Sequence, residues 1–270
     1  MPELPEVEIT RRGIAPHVEG KTVTRVVVRD RRLRWPVPRG LDERLSGLTL
    51  LRVIRRGKYL LLDFGTGWLI LHLGMSGSLR VTDPGSDPKP HEHFDLVFGT
   101  IALRLRDPRR FGAVLWTSGD VAAHPLIARL GIEPLSPEFS GTWLHANTRR
   151  RRAEIKPLLM NAAIVAGVGN VYANESLFRA GISPRTPAAR LSRARCDKLA
   201  HAVAETLNAA IDAGGSSLRD FVHSNGASGW FQQQHFVYDR AGKPCRVCGT
   251  TIGLMRLGQR STFWCRACQR

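Results

Sequence analysis

Four cysteines near the carboxyl end constrain the fold of this chain more than any other feature. They follow the pattern Cys245-x2-Cys248-x16-Cys265-x2-Cys268. Each Cys-x2-Cys pair can present two thiolates to a metal ion, and two such pairs supply the four ligands of a tetrahedral zinc site. The residues between the pairs can form a hairpin. We therefore expect one structural zinc ion here, with two pairs of reduced thiols or a redox motif as the alternatives.

The charge of the chain indicates a polyanionic partner. Its 270 residues include 40 Lys and Arg against 23 Asp and Glu, and the formal net charge is +17. A hydrophobic content of 43% is sufficient for a folded core, which argues against a disordered basic protein. The sequence has no apolar run of the ~18 residues that a membrane span requires, and its acidic start does not resemble a signal peptide. We expect a cytoplasmic protein without a membrane partner.

Lysine is rare among the basic residues of the chain. Arginine binds phosphate at least as well as lysine, because its planar guanidinium contacts two oxygens at once. A retained lysine is therefore a candidate for amine chemistry, although codon bias could also explain the ratio. The lysines are Lys21, Lys58, Lys89, Lys156, Lys198 and Lys243.

The amino-terminal half, residues 1–133, has the pattern of a β-rich domain. Short β-branched or apolar runs alternate with Gly, Pro or Asp, which predicts a sandwich or a flattened barrel. A helix is expected before the strands, with Pro5 in its first turn and Glu6 and Glu8 near its positive end. The predicted strands lie within 21–30, 48–54, 59–64, 68–73, 94–98, 101–105 and 113–116.

The period of the apolar residues becomes helical from about residue 153. Segments 153–163, 170–180 and 192–213 are predicted helices, the last with Ser192 as its N-cap. Cys196 lies on the apolar stripe of that last helix, so we expect it in the core. Residues 134–152 contain two prolines and a run of four arginines, and we interpret this segment as a linker or hinge.

Several motifs now occur together and in order along the chain. They are PELPEVE at residues 2–8, RGKYLLL at 56–62, HLGMSG at 72–77, DPRRFG at 107–112, GVGNVYA at 167–173 and the terminal cysteine pairs. This set resembles the formamidopyrimidine-DNA glycosylases, bacterial enzymes that remove 8-oxoguanine and ring-opened purines from DNA. Leu4 favours the purine branch, because the related endonuclease-VIII-like enzymes resemble PEGPE at this place.

The resemblance implies an α+β multi-domain fold that binds one zinc ion. An amino-terminal catalytic β-sandwich with flanking helices (1–133) would be followed by the linker (134–152). A helix–two-turn–helix domain with a loop that covers the lesion (153–235) would precede a zinc-finger β-hairpin (236–270). The implied partner is double-stranded DNA with oxidised purines or abasic sites, and the implied enzyme is a monomer with glycosylase and abasic-site lyase activity.

The implied chemistry requires an amine that attacks the sugar C1′ and forms a Schiff base. Removal of Met1 would make Pro2 the terminal amine, whose ordinary pKa of about 8 leaves a useful neutral fraction near pH 7. The family pattern gives acid and base catalysis to Glu3 with support from Glu6. Lys58 matches the lysine of the family motif at 56–62. A solvated charge at the end of a strand is the alternative for Lys58.

The enzyme must turn the damaged nucleotide out of the duplex and fill the gap that remains. By resemblance, Met75 and Phe111 would be the apolar wedges, and Arg109 would read the unpaired cytosine. Residue type alone would place Met75 and Phe111 in the core. The neighbouring glycines and Pro108 instead place both in turns, where an apolar side chain can be exposed.

Other residues match positions that hold the DNA backbone in the family. GVGN at 167–170 begins a helix, so its free amides and the side chain of Asn170 can bind phosphate, although ordinary helix capping has the same pattern. Arg260 matches an arginine of the zinc finger that holds phosphate and assists the second elimination. His91, Arg109 and Arg151 match DNA contacts, and for Arg151 a solvated arginine run is the alternative.

One segment departs from the family pattern. SNGASGW at 224–230 corresponds to the loop that closes over the everted base, where relatives often have Lys after the Gly and this chain has Ala227. The preference among damaged purines is therefore open. Two other functions are alternatives, namely an endonuclease-VIII-like enzyme for oxidised pyrimidines and a non-enzymatic zinc-hairpin DNA-binding protein. The joint presence of Pro2, Glu3 and Lys58 argues against the second.

Overall fold

A computed structural model describes residues 2–215 and 235–270 of the chain. The chain divides into two compact units. The first comprises Met1–Ala128 with Gly214–Trp230, and the second comprises Arg129–Ala213 with Phe231–Arg270. The segment 224–230, for which a lesion-covering loop was predicted, lies outside the described residues. Among the residues that the structure describes, no helix is long and apolar enough to cross a membrane.

Two antiparallel four-stranded sheets make up most of the first unit. One sheet has the strand order β1-β6-β7-β5, and the other has the order β2-β3-β4-β8. The strands are β1 (Arg25–Val28), β2 (Arg52–Arg56), β3 (Tyr59–Asp63), β4 (Gly67–His72), β5 (Ser78–Thr82), β6 (Glu92–Phe98), β7 (Ile101–Arg106) and β8 (Ala113–Ser118).

Alternating side chains of both sheets form one core. Leu60 and Leu62 of β3 and Leu103 and Leu105 of β7 belong to the same buried cluster. Alternation places every second residue of a strand on the same face. These contacts confirm the predicted sandwich. The sequence did not predict β5, because its residues SLRVT lack a continuous apolar run.

Helix α1 (Leu4–Val18) precedes the strands as predicted. Pro5 lies in its first turn, where a missing N–H is tolerated. A carboxyl oxygen of Glu6 accepts the N–H of Glu3 at 2.9 Å, which satisfies a donor at the open end of the helix. The unit also contains the short helices α2 (Leu41–Leu45) and α3 (Pro125–Ala128) and a 3-10 turn at Val121–Ala123.

The second unit is helical up to its zinc module. Its helices are α4 (Gly141–Thr148), α5 (Ile155–Leu159), α6 (Asn170–Arg179) and α7 (Arg193–Asp212), with a 3-10 turn at Ala188–Arg190. The hydroxyl of Ser192 caps α7 as predicted, and Cys196 is fully buried in it. The helix predicted over 153–163 is shorter, because Asn161 accepts the N–H of Ala163 in a local turn that competes with the helix.

Helix α4 lies inside the segment 134–152, for which the sequence predicted a linker. Ser140 is its N-cap and accepts the N–H of Trp143 at 3.2 Å. The helix packs against α7. The predicted linker segment therefore contains a packed helix of its own. The division of the chain into functional domains is still a prediction.

The carboxyl-terminal segment folds as an antiparallel hairpin of β9 (Gly253–Leu257) and β10 (Arg260–Trp264). Beneath it, Val237, Ile252 and Phe263 form a small core with Phe178 of α6 and two of the cysteines. A core of this size cannot hold a fold alone, so the module depends on additional links.

Candidate active site and nucleic-acid interface

Pro2 and Glu3 lie at the start of α1, and both are buried. Only 2% of Glu3 is exposed, and its backbone N–H is fixed by the Glu6 carboxyl. Glu8, one turn further along, is held instead by Arg11, Arg12 and Arg55. Glu3 is thus a buried residue that directly follows Pro2 in the chain, whereas Glu8 belongs to an ion-pair cluster.

Lys58 lies in the turn between β2 and β3 and is half-buried. The following residue, Tyr59, packs against His72 at the end of β4, with the ring centroids 4.8 Å apart and the rings tilted by 47°. Burial, together with the charges of Lys58 and Arg34, lowers the pKa of His72 to about 4. His72 is thus neutral near pH 7, and its Nδ1 accepts the N–H of Gly74 at 3.0 Å.

Met75 and Phe111 lie in two neighbouring connections between strands, β4–β5 and β7–β8. Met75 is half-buried, whereas Phe111 is 44% exposed. The guanidinium of Arg109 lies 5.3 Å from the centre of the Phe111 ring, within cation–π range. An exposed phenylalanine beside an exposed arginine can enter a base stack and contact a base edge at the same time.

His91 is exposed in the connection before β6 and has a positive φ of 72°. A residue that adopts this conformation without being glycine is held there by its surroundings. Its carbonyl accepts the N–H of Asp107 at 2.9 Å, which joins the His91 segment to the loop of Arg109 and Phe111. The sequence-predicted DNA contacts of the first unit thus share one end of the sandwich.

Asn170 and Arg260 are brought together in the second unit. The Asn170 side chain donates to the carbonyl oxygen of Ser261 at 3.1 Å, and Arg260 is the exposed residue immediately before Ser261. Gly169 is the N-cap of α6, so the amides at the start of this helix lie beside the hairpin. This arrangement can bind an anion with a helix N-terminus and a guanidinium.

Arg151 stands apart from that pair. Its Nε donates to the carbonyl oxygen of Asn147 in its own segment at 3.0 Å, and the side chain is exposed. The structure therefore places Arg151 on the surface, with its side chain bound to its own segment. Its predicted contact with DNA is still a prediction.

The four cysteines of the terminal motif form one cluster, with all four Sγ atoms within 4.8 Å of one another. The Sγ of Cys248 lies 3.4 Å from those of Cys265 and Cys268, and Cys245 lies 3.9 Å from Cys268. Tetrahedral zinc with bonds of about 2.3 Å requires sulfur separations of about 3.8 Å. The residues therefore fit one structural zinc ion.

Two polar residues attach the zinc module, a role that the sequence did not predict for either of them. Glu175 is 1% exposed and accepts the backbone N–H groups of Phe236, Val237 and Tyr238 at 2.8 to 3.0 Å. Burial raises the pKa of Glu175 in spite of these three bonds. Lys156 is equally buried and donates to Ser261 and Thr262 of β10 at 3.0 and 2.7 Å. The rarity of lysine was a signal for Lys156, but it indicated amine chemistry rather than this structural link.

Family models match three consecutive parts of the chain. The formamidopyrimidine-DNA glycosylase N-terminal domain matches residues 1–114, and the H2TH domain of the same enzymes matches residues 130–222. A zinc finger found in FPG and IleRS matches residues 242–270.

Curated relatives and solved structures match the whole chain. The formamidopyrimidine-DNA glycosylase of Burkholderia multivorans is 60% identical, and that of Methylococcus capsulatus is 58% identical, each with 100% of both chains covered. The MutM (Fpg) protein of Thermus thermophilus has a TM-score of 0.89 and 39% identity, with 99% of this chain and 98% of that chain covered. The Lactococcus lactis Fpg in complex with abasic-site DNA has a TM-score of 0.91 and 32% identity, with 99% of each chain covered.

Proposed function

Because the chain belongs to the formamidopyrimidine-DNA glycosylase family, we propose that it excises oxidised purines from double-stranded DNA and then cleaves the strand at the abasic site. The relatives carry that name over their full length, and solved neighbours are complexes with DNA that contains an abasic site, Fapy-dG or 8-oxo-G. The observation that carries the proposal is the match of the entire chain at 60% identity. We propose that it acts in the cytoplasm, at the nucleoid, where such a substrate would be found.

The reaction that we propose begins at Pro2. Once Met1 is removed, the secondary amine of Pro2 attacks C1′ of the damaged nucleotide, and the base leaves as the Schiff base forms. The carboxyl of Glu3 exchanges protons as the sugar ring opens and as elimination proceeds. Burial of Glu3 and the Glu6 bond to its backbone support this role, because they order the residue that directly follows Pro2. Lys58, at the β2–β3 turn, binds the backbone phosphate or donates a proton to the leaving base.

The everted nucleotide leaves a gap, which Met75 and Phe111 fill while Arg109 contacts the unpaired cytosine. The exposure of Phe111 supports this role, because a ring that is 44% exposed is accessible to a base stack. Phosphates of the DNA backbone are held by His91, Arg151, Asn170 and Arg260. Zinc holds the hairpin that carries Arg260, through Cys245, Cys248, Cys265 and Cys268.

Trapping of the Schiff base tests the proposal. The processed protein is incubated with a duplex that contains 8-oxoguanine opposite cytosine, reduced with borohydride and mapped by mass spectrometry. The expected adduct is on Pro2. A matched preparation that retains Met1 should bind the duplex and form no adduct, because its proline nitrogen is an amide.

Two results would contradict the assignment. An adduct on Lys58 or another lysine, with Pro2 free, would overturn the role of Pro2. Binding without any adduct or excision by the processed protein would favour a non-enzymatic DNA-binding protein. A panel of purine and pyrimidine lesions in the same assay would show whether oxidised purines are the preferred substrates.

A further inference from the structure

Asp107 is a fully buried carboxyl that joins two separate loops of the first unit. It lies directly after β7, with 0% of its surface exposed. One carboxyl oxygen accepts the N–H of Gly112 at 2.7 Å, next to Phe111. The other accepts the hydroxyl of Ser76 at 3.4 Å, next to Met75. A single side chain thus binds the neighbours of both apolar residues that we place in the DNA gap.

The two loops also touch through their backbones. A Cβ added to Gly74 would lie 2.5 Å from the nitrogen of Gly112 and from the carbonyl carbon of Phe111. A Cβ added to Gly112 would lie 2.7 Å from the carbonyl oxygen of His72 and 2.9 Å from the Asp107 carboxyl. Real Cβ atoms do not approach backbone so closely, so glycine is required at both positions. The backbones of the two loops are therefore in direct contact.

The main chain of Asp107 connects a third loop. Its N–H donates to the carbonyl oxygen of His91 at 2.9 Å, and its carbonyl oxygen lies 3.0 Å from Nε2 of His93. The same carbonyl accepts the N–H of Arg110, which closes the turn that carries Arg109. All three segments that present DNA-contact candidates in this unit therefore meet at one buried residue.

We propose that Asp107 is a positioning residue that holds the loops of Met75, His91 and Phe111 as one preformed DNA-reading surface. This inference rests on the proposed function, because it assumes that Met75, Arg109 and Phe111 enter the duplex. A loop that must be ordered during insertion loses binding free energy to conformational entropy, and a loop that is already ordered does not. Asp107 is buried and contacts no DNA itself. Its effect is to couple insertion of the apolar residues to reading of the opposite base by Arg109.

The test uses four variants of the full-length, zinc-loaded protein. Asp107→Ala removes both carboxyl bonds, and Ser76→Ala removes one of them. Asp107→Asn can accept from Gly112 and donate to Ser76, so it is the conservative rescue. Asp120→Ala is the matched control, because Asp120 also accepts a loop N–H, that of Ala122, but lies beyond the opposite end of β8.

Four measurements distinguish positioning from simple loss of stability. Fluorescence of 2-aminopurine next to an 8-oxoguanine reports insertion into the stack. The ratio of excision rates with cytosine and adenine opposite the lesion reports reading by Arg109. Borohydride trapping on a preformed abasic site reports the Pro2 chemistry, and thermal unfolding reports folding.

We expect Asp107→Ala to lose most of the fluorescence change and to reduce the cytosine preference at least about fivefold, the range expected when a base-edge contact is lost. Trapping on the abasic site should fall less than excision. Ser76→Ala should show a smaller effect in the same direction, and Asp107→Asn and Asp120→Ala should resemble the wild type.

The inference would be overturned if Asp107→Ala and Ser76→Ala kept the wild-type fluorescence change and cytosine preference. It would also be overturned if excision and abasic trapping fell equally, since Asp107 would then act on folding or chemistry alone. If Asp107→Ala does not fold, Ser76→Ala decides. Failure of the wild type to excise 8-oxoguanine would instead refute the proposed function.

Discussion

At the scale of single residues, His72 is controlled by its surroundings rather than by its type. It lies between Tyr59 and the Met75 loop, and Lys58 and Arg34 act on it electrostatically. Burial is the largest cause of its lowered pKa of about 4, and the two cations lower the pKa further. The neutral ring is the form that can accept the N–H of Gly74. A proton on Nδ1 would break that bond.

We expect His72 to make the protein less stable as the pH falls. The pKa of His72 is about 4 in the folded protein, against an ordinary value near 6.5, so the unfolded chain binds the additional proton between these values. The stabilising contribution is complete above pH 6.5 and is lost as the pH falls towards 4, by at most about 2 kcal/mol between pH 7.5 and 5. His72→Gln keeps an acceptor without a proton equilibrium. As the pH falls from 7.5 to 5, the Tm of the wild type should therefore fall more than the Tm of His72→Gln. A Tm difference that does not change with pH would contradict the assignment.

Glu3 and Glu8 lie on the same helix start but should differ in function. We expect Glu3→Gln to bind lesion DNA and to excise at least about 100-fold more slowly, because an amide cannot exchange protons. Glu8→Gln is the matched control, since Glu8 is engaged by Arg11, Arg12 and Arg55. Single-turnover excision and duplex affinity, measured on both variants, separate the two roles. Equal rates for the two variants would assign the proton transfer elsewhere.

Motif spacing indicated the residues of the candidate site, and it could not indicate the buried carboxyls that position their neighbours. Phe111, Arg109 and the cysteines stand in short local patterns that can be interpreted from sequence alone. Glu175 accepts the N–H of Phe236, which lies 61 residues further along the chain, and Asp107 accepts the hydroxyl of Ser76, which lies 31 residues earlier. A backbone N–H has no residue-specific signal, so the partner of a buried carboxyl becomes visible only when the chain is folded.

At the scale of elements, the zinc hairpin is attached to the helices by side chains that bind the backbone of β10. Lys156 of α5 and Asn170 of α6 both donate to the carbonyl oxygen of Ser261. Asn174 accepts the N–H of Phe263 at 2.9 Å. These bonds hold the start of α6 against β10. Arg260, the first residue of β10, is thereby presented beside the first amides of α6.

This placement predicts a measurable electrostatic contribution from Arg260. We expect Arg260→Ala to weaken binding of lesion DNA and to reduce the slope of log K against log salt by about 0.9, the value for one lost phosphate contact. Arg193→Ala is the control, because Arg193 is exposed in the same unit and pairs with Asp197. The affinities are measured across a salt series for both variants. An unchanged slope for Arg260→Ala would remove Arg260 from the phosphate backbone.

At the scale of the whole molecule, the arginines serve two purposes. Some of them neutralise buried acids within the sandwich. Arg104 is 1% exposed and pairs with Asp95 and Glu92, and Arg29 binds the same Asp95. Such pairs contribute to internal structure and leave no charge for a partner. The net charge of +17 is carried by the remaining basic residues, which attract the DNA backbone.

The two units should respond differently to loss of zinc. The sandwich has its own core, whereas the small hydrophobic cluster under the hairpin includes two of the metal-binding cysteines, Cys245 and Cys265. A module of this kind folds only with its ion. Chelation, or Cys248→Ser, should therefore increase hydrogen exchange in residues 236–270 while the strands of the sandwich stay protected. The match of this region to a zinc finger and the position of Arg260 lead us to expect loss of lesion-DNA binding as well.

Cys196→Ala is the control for this experiment, since Cys196 is buried in α7 and lies outside the cysteine cluster. It should keep one zinc ion per chain and wild-type affinity, because removal of its sulfur affects only the packing of a helix. Zinc content, exchange by peptide and duplex affinity are measured on the same samples. If affinity were unchanged after verified loss of zinc, the hairpin would not be part of the DNA-binding surface. If the sandwich also lost its protection, the two units would fold as one cooperative structure, in which the metal stabilises residues far from its ligands.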